Sequence, residues 1–253
     1  MGEMLKFPFV VFLVSLVFLW LSVQMGSVLA ARFRPVKENE RDDLNLVISA
    51  SLTLLALIIG FSFSMAVSRY DQRKNYEEEE ANAIGTEYVR AGLLPAADAV
   101  RIRQLLSRYL DQRILFYTVR DASRLKTVNT ETAKLEDEMW SAVQSAAAAQ
   151  PTPTVALAVA GMNDVLNRQG YTQAASWNRI PVGAWTLMST LAICCCLLIG
   201  YGAHRRGALL FMVFPFLVAI AFFLIADIDS PRQGVIRVAP QNLISLSQSL
   251  HAH

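Results

Sequence analysis

The chain has 253 residues, 54% of them hydrophobic and only 17% charged, with a formal net charge of +2. So small a positive balance gives no electrostatic footprint for nucleic acid or a strongly acidic partner. The apolar residues are gathered into four blocks, which excludes an ordinary soluble domain and points to a chain that lives in the lipid bilayer.

The blocks cover residues 7–30, 44–67, 182–203 and 208–226. Each supplies roughly the 20 apolar residues needed to cross a hydrocarbon core about 30 Å thick. Lipid offers no partner to backbone N–H and C=O groups, so each is expected to span as a helix. The first block ends on Val28-Leu29-Ala30, which resembles a leader cleavage site. Its apolar run is longer than a usual leader core, and Lys6 is offset by Glu3, so it is read as a retained anchor.

Residues 31–43 mix Arg32, Arg34, Lys37 and Arg41 with Glu38, Glu40, Asp42 and Asp43, the pattern of a solvated loop between two spans. The second block then runs without Pro or turn cluster into the charged stretch from Ser68 to Glu80. One helix is therefore expected to join membrane to water. Its extension carries Tyr70, Glu77, Ala81, Ile84 and Tyr88 on one face, with Gly92 and Pro95 marking the end.

Three more amphipathic helices follow before the third block. Val100, Leu105, Leu106, Tyr109 and Leu110 give one over about 97–118; Leu135, Met139, Val143 and Ala146 give another over about 130–149. After Pro151-Thr-Pro153 the last runs through Val155, Val159, Met162, Val165 and Leu166 to a break expected at Gly170. No alternating strand pattern occurs. Helices with one apolar face each argue for a bundle beside the membrane.

In the third block Cys194, Cys195 and Cys196 are consecutive. Adjacent helical positions point apart, so these form neither an intrachain disulfide nor a metal site and are read as small apolar side chains. His204-Arg-Arg-Gly207 makes a short turn to the fourth block, where Pro215 predicts a kink. Pro231 and Gly234 make the following backbone irregular, and Leu243, Leu246 and Leu250 form a short amphipathic piece expected to dock on the bundle.

The fold class is thus an all-α membrane protein: four transmembrane helices with a helical-bundle domain between the second and third. The expected divisions are 7–67, 68–181, 182–226 and 227–253. Four spans place both termini and the middle region on one side. Lys and Arg near the span ends number six in the two short loops and eight on the other side. The middle region is read as cytoplasmic.

No catalytic constellation, cofactor motif or metal site is recognisable. His204, His251 and His253 have no nucleophile or ligand at useful spacing. Walker, Rossmann and zinc-protease patterns are missing. The four carboxylates Glu77, Glu78, Glu79 and Glu80 fan around their helix and read as a solvated face.

The second span is more informative. At about 100° per residue, Asn45, Ser49, Thr53, Ala56, Gly60, Ser64 and Asp71 share one stripe, small or polar along the whole crossing. Such a stripe serves close helix packing or lines a water-filled path. Charges follow it at the wet mouth: Arg69, Asp71, Arg73 and Lys74 after the second span, Asp227, Asp229 and Arg232 after the fourth. Ion pairs among them would fix the span ends, and a ring of them would set ion preference or gate.

Several motifs resemble the bacterial bestrophin-like family of four-span membrane proteins. They are Gly60-Phe-Ser-Phe-Ser-Met-Ala66 before Arg69-Tyr70, Glu80-Ala-Asn-Ala-Ile-Gly-Thr86, Leu93-Leu-Pro95, Met162-Asn163, Arg179-Ile-Pro181 before Trp185, and Asp227-Ile-Asp-Ser-Pro231 with Gly234, Ile236 and Arg237. More distantly, Phe63 and Tyr70-Asp71-Gln72-Arg73 are similar to the inner end of the pore helix in the bestrophin ion channels. Gln72 interrupts their Tyr-Asp-Arg triplet, and their following tryptophan pair is missing. The resemblance implies a cytoplasmic helical region and a ring of identical subunits in the bacterial inner membrane, a pentamer as in the bestrophins.

The leading expectation is a homo-oligomer conducting inorganic ions along an axis lined by the second spans. Ser49 and Thr53 would line the outer half. Gly60, Phe61, Ser62, Phe63 and Ser64 would stand near the constriction, with Phe61 or Phe63 as a dewetting gate. The alternative is a membrane-anchored interaction or sensing module without conduction, in which the stripe serves assembly alone. Secondary transport is not indicated, since no internal repeat or pair of broken spans is evident.

Overall fold

The computed structural model describes residues 7–32, 40–203 and 210–251. Most of the expected loop after the first span, the turn His204–Gly207, and His253 lie outside the described residues. Among those described the chain forms eight α-helices and no strand. They are α1 (Pro8–Arg32), α2 (Arg41–Arg90), α3 (Ala96–Thr118), α4 (Ala122–Ala149), α5 (Pro153–Trp177), α6 (Val182–Gly202), α7 (Leu210–Asp229) and α8 (Gln241–His251). Four stretches are long and apolar enough to cross a membrane: α1, α2, α7 and the segment Pro153–Gly202, whose apolar part is α6. This is an all-α membrane protein.

The chain divides into two compact units. The membrane unit holds the described residues through Tyr70 and Arg179–Arg237; the bundle unit holds Asp71–Asn178 and the chain from Val238 onward. Helix α2 belongs to both, its fifty residues unbroken, because no Pro, Gly pair or turn cluster interrupts its hydrogen-bond ladder.

In the membrane unit α1 packs against α6 and α7. Leu19 and Val23 of α1, Leu55 and Ala66 of α2, Trp185, Met188, Ala192, Cys195 and Cys196 of α6, and Val218, Phe222 and Ile225 of α7 make its core. Trp185 meets Phe222 edge-on with ring centroids 6.0 Å apart. At two glycines the backbones of α1 and α6 come into contact. A Cβ on Gly26 would lie 2.1 Å from the Leu197 carbonyl oxygen, and one on Gly200 would lie 2.0 Å from that of Val23. Without the side-chain hydrophobic drive available in water, small residues that admit such contact are what hold membrane helices together. Pro215 lies inside α7, one turn from its start, and the helix continues through it.

In the bundle unit α3, α4 and α5 pack in sequence order, and α8 lies on α3. Ile84, Ile102, Leu106, Leu110, Met139, Val143, Met162, Val165 and Leu243 form the core, all at helical spacing on their own elements. The tail helix docks as its leucine spacing predicts: Leu243 is buried, and Leu246 and Leu250 pack on the core.

Two boundaries differ from expectation. Helix α4 begins eight residues before Thr130, because the Asp121 carboxylate caps it by accepting the Arg124 N–H at 2.8 Å, and Val128 already reaches the core. Helix α5 does not break at Gly170 but continues to Trp177. Beyond the glycine, Thr172 and Ala175 are buried, and their packing outweighs a helix-interior glycine's penalty of about 1 kcal/mol.

Candidate functional site

The apolar length of α2 is mostly uncovered within the chain. From Leu44 to Val67 only Leu55, Ser62 and Ala66 are buried. Asn45, Ser49, Thr53, Ala56, Gly60 and Ser64 are all exposed, and a Cβ placed on Gly60 would meet nothing within 4 Å. Phe61 and Phe63 are exposed at 62% and 41%. The hydroxyls of Ser49 and Thr53 donate to the carbonyls of Asn45 and Ser49, at 2.8 and 2.9 Å, so both are satisfied within the helix.

Ser62 departs from this group. It is 4% exposed and faces the interior of the membrane unit. The reason is helix geometry: Ser62 stands about 200° around the axis from both Gly60 and Ser64, although it lies between them in sequence.

The charged residues divide between the two units. In the membrane unit, Asp227 and Asp229 are 1% and 5% exposed. Asp227 accepts the N–H groups of Val235 at 2.7 Å and Ile236 at 2.8 Å. Both oxygens of Asp229 lie 3.2 Å from the Ile180 nitrogen, which donates to them. These carboxylates fold the tail back on the end of α7 and tie it to the entry of α6. Gly234 makes the return possible, since a Cβ there would fall 2.4 Å from the Asp227 carbonyl oxygen. Arg179 is pushed below its ordinary range by burial, with the Asp229 carboxylate acting the other way. Arg69 donates to the Met65 sulfur at 3.7 Å. In the bundle unit, Asp71 is exposed and Arg73 is buried to 6%.

The carboxylate run after the second span is not a solvated face throughout. Glu78 is exposed, but Glu77 and Glu80 are 1% and 0% exposed. Glu80 forms an ion pair with Arg113 of α3, and neither side chain is exposed to solvent. Thr172 of α5 donates to Glu80 at 3.2 Å and Tyr117 at 3.4 Å. Burial pushes the Tyr109 and Tyr117 phenols above the ordinary range. At the surface, Glu79 pairs with Arg168, and Tyr76 stacks on Tyr171 with centroids 6.0 Å apart.

Sequence reading missed this polar interior, yet it left a trace. Glu77, Glu80, Ile84 and Glu87 fall at intervals of three and four, on the same face as Ala81. Among the described residues no group of three or more His, Cys, Asp or Glu gathers as a metal site.

A family model described as Bestrophin-like domain matches residues 16–243. Solved structures of a bacterial bestrophin homologue from Klebsiella pneumoniae share the fold. Two carry single substitutions and are both 13% identical to this chain. They align with TM-scores of 0.63 and 0.64, over 94% and 95% of this chain and 97% and 98% of theirs. A third, phased on zinc, aligns at 0.60 with 13% identity, over 93% of this chain and 98% of the other. At that identity the likeness establishes the fold. No curated protein matches.

Proposed function

The chain belongs to the bestrophin-like family, and from that premise we propose that it is a homo-oligomeric ion channel of the bacterial inner membrane. Helix α2 of each copy turns its Ser49, Thr53, Gly60 and Ser64 face to a shared axis, with Phe61 and Phe63 flanking the narrowest part. Inorganic ions are the cargo, the assembly is a ring on the pattern of the bestrophin pentamers, and the bundle and both termini lie in the cytoplasm.

One observation carries this reading. The small and polar stripe of α2 is exposed along its whole crossing, while its opposite side, Leu55, Ser62 and Ala66, is buried in its own subunit. A lipid-facing helix gains nothing from such a stripe, whereas copies arranged about an axis give it water on one side and neighbours on the other. Ser62 is left out of the pore lining. Asp227 and Asp229 act as fasteners of the span end, because their oxygens are taken up by backbone N–H groups.

The test is a cryo-EM map of the detergent-purified chain followed by ion flux in liposomes. A ring with the Ser49 to Ser64 faces turned inward, and flux above that of empty vesicles, supports the channel. A monomer, or a dimer with those faces sealed together, overturns it and favours an anchored interaction module.

A further inference from the structure

Glu87 stands in the last turn of α2, before the 3-10 turn Ala91–Leu93, and is 0% exposed. Among the described residues, neither of its carboxyl oxygens has a hydrogen-bond partner. Opposite it on α5 is Gly161. A Cβ at that position would fall 2.0 Å from Glu87 Oε2 and 2.7 Å from Arg90 Nη1. The carboxyl head therefore occupies the notch that a side chain on α5 would need, against α5 backbone.

A carboxylate confined in this way has the Arg90 guanidinium beside it but lacks the hydrogen bonds that make burial tolerable, whereas a neutral carboxyl fits. Burial pushes Glu87 up to about 8; Arg90 acts against the shift, and Asp164 of α5 adds to it. Arg103 of α3 is engaged elsewhere, donating to the Tyr88 carbonyl at 3.1 Å and lying over the Tyr88 ring. From α8, the apolar Leu246 side chain reaches Gly85, two residues before Glu87.

We propose that Glu87 is a proton-controlled lock between α2 and α5. With its proton the carboxyl seats in the Gly161 notch and the two helices close. On loss of that proton to water the carboxylate leaves the notch for Arg90 or solvent, and the contact opens. This rests on the bundle unit alone and stands whether or not the chain conducts ions.

Hydrogen exchange of the full chain in detergent tests it, read on peptides covering 84–90 and 158–165 from pH 6.5 to 9.5 and corrected for the intrinsic base dependence. Corrected exchange in these peptides is expected to rise up to about tenfold per pH unit as pH approaches the Glu87 pKa from below, and to level off above it. Glu87→Gln, which keeps the neutral shape, is expected to stay protected throughout. The same profile in both proteins, or a flat profile in the wild type, overturns the lock. Should Glu87→Gln fail to fold, infrared difference spectra of Glu136→Gln, whose carboxyl otherwise titrates nearby, decide the matter. Loss of a protonated-carboxyl band between pH 7 and 9 supports the lock, and an unchanged spectrum overturns it.

Discussion

Glu77 of α2 and Leu243 of α8, 166 residues apart in sequence, meet through one hydrogen bond: the Leu243 N–H donates to Glu77 Oε1 at 3.0 Å. The other carboxylate oxygen accepts from Asn242 Nδ2 at 2.7 Å. The first amides of a helix lack intrahelical acceptors, and its N-terminus favours negative charge. Here a distant side chain supplies both.

Glu77→Ala is expected to leave the Leu243 N–H buried without an acceptor, weakening α8 docking by about 1–3 kcal/mol. Limited proteolysis of the full chain should then cut within 241–251 faster than in the wild type, while the Leu106 and Met139 core stays protected. Equal cutting rates would show that Leu243 packing alone holds the helix.

The Arg113–Glu80 pair predicts a non-additive pattern. Arg113→Met strands a buried carboxylate and is expected to cost about 3–5 kcal/mol of bundle stability. Adding Glu80→Met removes the stranded charge and should recover part of the loss. A double-mutant cycle read by denaturant unfolding checks this; two additive losses would contradict it.

At the α1–α6 crossing, Gly200→Ala is expected to cost about 1–3 kcal/mol through overpacking, because the obstacle is the backbone carbonyl of Val23 and not a flexible side chain. Gly60→Ala should be nearly silent for the fold of a single subunit, since its Cβ would meet open space. Thermal scans in one detergent compare the two directly.

Burial also pushes Glu136 up to about 7, with Arg113 and the Tyr109 hydrogen bond acting against the shift. For a carboxyl whose folded-state pKa is raised above its unfolded value, the folded state binds more protons, so stability falls as pH rises from the unfolded pKa to the folded one. The wild type is therefore expected to lose stability between about pH 4.5 and 7 from Glu136, and on to about pH 8 from Glu87. Glu136→Gln should flatten the lower part of that slope in melting profiles taken at each pH.

If the α2 faces line a pore, Phe61→Ala with Phe63→Ala removes the apolar constriction and is expected to raise basal flux in liposomes. Ser62→Ala, at a buried position, should leave ion preference unchanged. Unaltered flux in the phenylalanine pair would sink the gate.

The sequence by itself determined what repetition along one helix can encode. Four long apolar blocks dictated four spans, because lipid leaves the backbone no other conformation. Apolar spacing dictated the bundle helices, and the leucines of 243–250 announced a docked tail. The stripe of α2 was legible for the same reason, being a property of a single helix. The break expected at Gly170 does not form, because a local preference gives way to the packing of Thr172 and Ala175, and Ser62 lies on the far side of the helix from the two stripe residues that flank it in sequence. Only the tertiary structure decided that Glu77 and Glu80 turn inward, that Asp227 and Asp229 hold backbone N–H groups, and that Glu87 rests in a notch on α5. A carboxylate on a helix carries the same local signal whether it faces water or a partner. Its fate is set by Arg113, Leu243 or Gly161, residues that lie far along the chain and reach it only once the helices have packed.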